Sequence, residues 1–360
     1  MPDIRITNCH VHAFTIRHIP SQFPHPVAVP LMRLPGALRV ASFLMRVLGQ
    51  QPAAEWVDRM HRFHLEATTV RQSEVIDRLI PQYPGSTRFV VLPMQMRPTA
   101  NGHIVADLRA QHDELAEMAA DERYAGRIIP FATLFPDDEG AADEVRRCVE
   151  ELGFRGLKLY PRLGFAPDHP VLMNEVYPLL EERGLPVVSH CSRGGVRGRG
   201  VVASRADRYC DPAAFKPVLE TFPKLRVCLA HFGGQADWRA YVQDGIDPRD
   251  IGARPRNWQV AIRDMITSGD YPNLWTDISY TLFQFEDFVP FLKLFLEDER
   301  IAARVLFGSD YYMTRQEHLS ERAVCFRLRM ALGEDIFRRI AETNPEIWLG
   351  EKAGKKTRKS

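Results

Sequence analysis

Ile4-Arg5-Ile6-Thr7-Asn8-Cys9-His10-Val11-His12 decides the reading of this chain. An apolar run near the N-terminus ends in two histidines two residues apart, and strand residues two apart share a face. Seven further short apolar runs recur along the chain: Arg88 to Met96, Ile128 to Leu134, Gly156 to Tyr160, Pro186 to Cys191, Arg226 to Phe232, Leu274 to Ser279 and Val305 to Asp310. Most are rich in Val, Ile, Leu and Phe on both faces, which suits a parallel sheet covered by helices. Amphipathic stretches lie between them. Asp137 to Leu152 begins with acids and stops at Gly153, and Val171 to Arg183 stops at Gly184, each glycine a natural helix terminator. Eight such units in series predict a (β/α)8 barrel, with an open doubly wound sheet as the structural alternative.

Two connections exceed the ordinary length. Residues 14–80 follow the first strand and residues 192–225 the fifth, where loops surround a barrel's active face. They are expected to act as lid or oligomer elements. Within the first, Gly36 to Leu48 predicts a basic amphipathic helix with Arg39 and Arg46 on one face, packed over the barrel mouth or against a partner subunit. Residues 1–350 are read as one domain, and residues 351–360, with five Lys/Arg and one Glu, as a basic disordered tail.

Composition excludes several classes. The 360 residues carry 47 Lys+Arg against 46 Asp+Glu, a net charge of +1 that argues against a nucleic-acid binder. The most apolar stretch, Val27 to Leu48, is cut by Arg33, Arg39, Arg46, Pro30 and Pro35, so it cannot span a membrane. Six cysteines lie scattered without a CxxC pair, and no export signal is visible, which together predict a cytoplasmic protein with reduced thiols.

The strand ends carry the chemistry. His10 and His12 close the first strand, Ser189-His190 the fifth, Ala230-His231 the sixth and Ser309-Asp310 the eighth. Burying such groups after apolar runs is expensive unless something pairs with them. In a closed barrel these ends converge, and one divalent cation would explain them together. His61 and His64 lack a third partner, and the loop Gly198-x-Gly200-x-x-Ala203 lacks the strand and helix context of a dinucleotide fingerprint. Arg193, Arg197 and Arg199, in the loop after His190, are candidates for holding a substrate carboxylate. Tyr160, Arg162, Tyr311 and Tyr312 are candidate pocket residues.

Taken in order, His10-x-His12, Gly156-Leu157-Lys158-Leu159-Tyr160-Pro161, Ser189-His190, Ala230-His231-Phe232-Gly233-Gly234, Tyr271 to Ser279, Phe307-Gly308-Ser309-Asp310 and Asn344-Pro345 resemble the amidohydrolase superfamily. The likeness is to the amidohydrolase-related branch that includes aminocarboxymuconate-semialdehyde decarboxylase, over about Ile4 to Gly350. The resemblance implies a deformed barrel with one metal ion on His10, His12, His190 and Asp310, and with His231 as acid/base or carbonyl polariser. Imidazole and carboxylate donors suit Zn²⁺, with Mn²⁺ the other candidate. Lys158 is then a cationic contact for substrate or Asp310, with Arg193 and Tyr160 as further substrate contacts; the lesser alternative is a carbamylated Lys158 bridging two ions. The leading expectation is a metal-dependent hydrolase of a small carboxylate-bearing substrate, working through a metal-activated water. A non-oxidative decarboxylase is the alternative, and a catalytically silent metal-binding barrel the third reading. A homodimer is what the resemblance suggests.

Overall fold

The computed structural model describes residues 4–26, 29–30, 34, 36–247, 249–279, 285–311, 313–316 and 320–351. Tyr312 and the tail from residue 352 lie outside them. The strands are β1 (Thr7–Val11), β2 (Arg88–Val91), β3 (Ile128–Pro130), β4 (Ala132–Thr133), β5 (Leu157–Leu159), β6 (Val187–Ser189), β7 (Val227–Leu229), β8 (Leu274–Asp277) and β9 (Val305–Leu306). Neighbours in the chain pair in parallel along two runs, β1-β2-β3 and β4 through β9. Phe131 joins the runs: its N–H donates to Val91, and the next N–H, of Ala132, donates to Gly156. β3 and β4 are therefore one stave of a barrel, broken at a single residue.

Closure comes from the first and last strands. Cys9 N–H donates to Phe307 O at 2.9 Å, Asp310 N–H to His10 O at 2.9 Å, and Val11 bridges Tyr311. Eight parallel staves thus close into the expected (β/α)8 barrel. The alternation of period two sorts side chains into two cores. Val90, Val188, Cys228, Trp275 and Leu306 meet inside the barrel with Trp348, whereas Phe89, Val187, Val227, Leu274 and Val305 pack outward against the helices. Gly153 and Gly184 take φ of +70° and +62°, the left-handed turn that ends a helix. The helix before Gly153 is Ala141–Glu150, and the one before Gly184 begins as a π turn, Leu172–Val176, before Tyr177–Glu182.

The stretch after β1 contains α1 (Ala37–Val47), α2 (Gln51–Ala67) and Gln72–Leu79. α1 exposes Val40, Phe43, Leu44 and Val47, one stripe at helical spacing. α2 packs against the short helix Met313–Gln316, which follows Asp310. No helix among the described residues is long and apolar enough to cross a membrane.

Candidate metal centre

Strand register aims the site residues. Lys158 pairs with Val188, Val188 with Cys228 and Cys228 with Trp275 across β5 to β8. Lys158 therefore faces the barrel interior, and so do His190 and Asp277, each two residues beyond an inward side chain. β1 carries a bulge: Asn8 pairs with Phe89 and Val11 with Val91, so Cys9 and His10 together oppose Val90. The extra residue lets Cys9, His10 and His12 all face inward, while Asn8 turns outward; bulges commonly re-aim side chains beside active sites.

His10 Nε2 and His12 Nε2 converge on Asp310 Oδ1, at 3.7 and 3.3 Å. All three residues are buried and could hold one metal ion. Each imidazole is fixed from behind. His10 Nδ1 donates to Asp277 Oδ2 at 2.9 Å and His12 Nδ1 to the Leu92 carbonyl at 2.9 Å, which leaves both Nε2 lone pairs facing the cluster. Burial, then the Lys158 ammonium, lowers the His10 pKa to about 3, so its Nε2 stays unprotonated at neutral pH. Burial alone would raise the Asp310 carboxyl, but His12 and His10 hold it well below the usual carboxylate range. Asp310 and His231 have φ of +59° and +66°, left-handed conformations unusual for residues with a Cβ and concentrated at functional sites.

His190 and His231 form a second pair. His231 Nδ1 lies 2.9 Å from Ser279 Oγ and 3.2 Å from Ser279 O, His231 Nε2 lies 3.1 Å from His190 Nδ1, and His190 Nε2 lies 3.0 Å from Gly194 O. Burial lowers the pKa of both rings, favouring neutral imidazoles. With the Ser279 hydroxyl donating to Asp277, the two neutral rings have two protons for their contacts with Ser279, with each other and with Gly194, and the two carbonyls only accept. The set closes if His190 Nε2 exchanges the Gly194 carbonyl for a cation: His190 Nδ1–H then donates to His231 Nε2, and His231 Nδ1–H to Ser279. The donor chemistry fits a divalent ion.

The structure brings His10, His12, Asp310, His190 and His231 into one buried region, while the substrate candidates fall differently. Tyr160 stacks on His190, with ring centroids 4.4 Å apart. Lys158 is fully buried, its Nζ lies 3.1 Å from His10 Nε2, and burial lowers its pKa to about 8. It does not line the cavity above the site. Arg193 does, but its guanidinium donates to Asp237 at 3.0 Å and to Arg256 O at 2.8 Å, and it lies 4.2 Å from the centre of the Trp258 ring. That cavity, of about 920 Å³, has an apolar wall of Phe14, Phe23, Met94, Met96 and Met313 and a rim carrying Arg197 and Arg239. Asp310 is its one acidic lining residue among those described.

Sequence reasoning left Asp277 and Ser279 without roles. Asp277, fully buried, accepts from His10 Nδ1, from the His231 N–H at 2.9 Å and from the Ser279 N–H and hydroxyl. The signal was present, since Asp277 closes an apolar run as His190, His231 and Asp310 do.

A family model described as amidohydrolase matches residues 9–350. The fold is similar to that of 5-carboxyvanillate decarboxylase from Sphingomonas paucimobilis, with 17% identity and a TM-score of 0.56 over 97% of this chain and 100% of that one. The manganese-bound 5-carboxyvanillate decarboxylase of Novosphingobium aromaticivorans gives 13% and 0.54 over 96% and 97%. A probable 2-pyrone-4,6-dicarboxylic acid hydrolase from Acinetobacter baumannii gives 12% and 0.54 over 96% and 100%. With its parallel barrel, its histidines and aspartate at the strand ends, and a family match over nearly its whole length, the chain belongs to the amidohydrolase family.

Proposed function

We propose that the protein is a metal-dependent non-oxidative decarboxylase of a small, apolar-bodied carboxylic acid. This reverses the order expected from the sequence, where hydrolysis led. The observation that carries it is the convergence of His10 Nε2, His12 Nε2 and Asp310 Oδ1 beneath an apolar cavity that His231 also lines. Two of the structural neighbours are named as decarboxylases of aromatic acids, which supports the same choice and suggests hydroxyaromatic acids as the substrate class.

His10, His12, Asp310 and, by giving up the Gly194 carbonyl, His190 would hold the ion. When bound, a divalent cation there supplies the charge that anchors the substrate carboxylate and a neighbouring oxygen. Phe14, Phe23, Met94, Met96 and Met313 exclude water from the substrate's apolar body. His231, after taking up a proton at Nε2 and turning that N–H from His190 toward the cavity it lines, delivers it to the carbon that carries the carboxylate; the C–C bond breaks with its electron pair kept by that carbon, and CO₂ leaves. Burial lowers the His231 pKa, and Asp310 and Asp277 oppose that fall, which eases protonation of the ring. The rim arginines Arg197 and Arg239 favour an anionic substrate.

The test is a panel of hydroxybenzoates with Mn²⁺- and Zn²⁺-loaded enzyme in D₂O. Released CO₂ with deuterium at the vacated carbon is expected. The hydrolase reading keeps the same ligands, with Asp310 as base, and is favoured by the neighbour named as a probable hydrolase. Label from H₂¹⁸O in the product without CO₂ would replace decarboxylation by hydrolysis.

A further inference from the structure

Outside the barrel wall, behind Asp310, lies a buried polar chain that the proposed chemistry does not use. Glu321 opens the helix Glu321–Leu332 and is fully buried. Its carboxylate accepts from the Thr314 hydroxyl and, at 2.6 Å, from the Tyr83 hydroxyl. Asn8, the outward residue of β1, donates from Nδ2 to the Tyr83 oxygen at 3.1 Å and to Ser309 Oγ at 2.8 Å. Asn8 Oδ1 accepts the backbone N–H of Ser309 at 3.1 Å and of His10 at 3.3 Å.

The chain has one direction. A carboxylate only accepts, so the single Tyr83 proton goes to Glu321, and the Tyr83 oxygen must then receive the Asn8 amide. That holds the Asn8 carbonyl toward two N–H groups, one on His10 and one on the residue before Asp310. A single amide thus ties the two staves that carry the site, at the point where Asp310 takes its left-handed φ of +59°. Stability alone does not call for this arrangement, because a buried carboxylate costs more than an apolar side chain of similar size. What the carboxylate adds is orientation.

We infer that Asn8, Tyr83 and Glu321 are positioning residues for the metal centre: through the Asn8 amide they set His10 against Asp310. The inference rests on His10 and Asp310 being cation ligands. Its test is Mn²⁺ affinity by calorimetry on the full chain, with thermal melting of each metal-free variant. Losing an outer-shell partner typically weakens metal binding roughly 10–100-fold. Tyr83→Phe is expected to weaken Mn²⁺ by about tenfold or more, whereas Glu321→Gln, which keeps an acceptor for the Tyr83 hydroxyl, stays within about threefold of wild type. A purely structural network would lower the melting temperature and leave Mn²⁺ affinity unchanged. If Tyr83→Phe does not fold, Ser309→Ala decides in its place: it removes the Asn8 Nδ2 contact, the acceptor of the Tyr311 N–H and a hydrogen bond to Glu321, while Glu321 keeps the Tyr83 and Thr314 hydroxyls. Wild-type affinity in a folded Tyr83→Phe or Ser309→Ala overturns the inference while Asp310→Ala still abolishes binding. Wild-type affinity in Asp310→Ala brings down the ligand assignment itself, and the inference with it.

Discussion

Replacing Asp277 by asparagine isolates the role of the carboxylate that sequence reasoning left unassigned. Its two oxygens have different tasks. Oδ1 takes the N–H of His231, the N–H of Ser279 and the Ser279 hydroxyl, whereas Oδ2 takes the His10 Nδ1 proton. An asparagine will place its oxygen against the two backbone N–H groups, since the reverse sets its NH₂ against both. The NH₂ then meets His10 Nδ1 and forces the proton to Nε2, the nitrogen that faces His12, Asp310 and Lys158. The ring keeps its place and loses the lone pair that would bind the ion. Outer-shell losses of this kind cost roughly 10–100-fold in affinity, or about 1.4–2.7 kcal/mol. Loss of a hydrogen bond to a charged group adds about 1.5–3 kcal/mol of destabilisation to the fold. Calorimetric titration of Mn²⁺ into wild type and Asp277→Asn, with melting curves alongside, measures both. Affinity within about twofold of wild type would show that Asp277 does not set the His10 tautomer, and the outer-shell argument would fail.

Three further outcomes are expected. His231→Ala retains bound metal and loses turnover by about 10²-fold or more, read by metal analysis beside CO₂ release; loss of metal and turnover together would make His231 a ligand. Gly308→Ala drives a new Cβ to 2.8 Å from His10 Cβ and 3.3 Å from Ser279 Cβ, so it should destabilise by about 1–3 kcal/mol and weaken Mn²⁺, whereas an unchanged melting curve would mean the barrel gives way there. Away from the site, burial alone would raise the Glu144 carboxyl, but hydrogen bonds from His112 and Arg147 outweigh it and bring its pKa down from 4.5 to about 2. Its stabilising effect is therefore complete above about pH 4.5 and is lost as the pH falls toward 2. Glu144→Gln should flatten acid unfolding curves in that window, and an identical acid limb in both proteins would remove Glu144 from the account.

The barrel was legible because its staves are short apolar runs, several of them closed by polar residues, a local signal each strand carries by itself. His10, His12, His190, His231 and Asp310 could be picked out for the same reason. Features that depend on a partner strand could not be read. The bulge at Cys9-His10 exists only in register against Val90, and it is what sends Asn8 to the outside. The break at Phe131 likewise depends on Val91 and Gly156. Side-chain commitments were equally hidden. Arg193 reads as a substrate arginine until Asp237 and Trp258 arrive from distant segments to occupy it. Lys158 reads as a pocket cation until the alternation places it inside the barrel, against His10. Tyr83 and Glu321 lie 238 residues apart and carry no motif, so only their juxtaposition gives them meaning.

The central claim is that four side chains from the first, fifth and eighth staves share one divalent ion. Metal-to-protein stoichiometry, measured by elemental analysis on wild type, His190→Ala and Asp310→Ala purified in parallel, tests it most directly. The account predicts about one ion per chain in wild type and less than about a tenth of that in either variant. Equal metal content in all three proteins would contradict it.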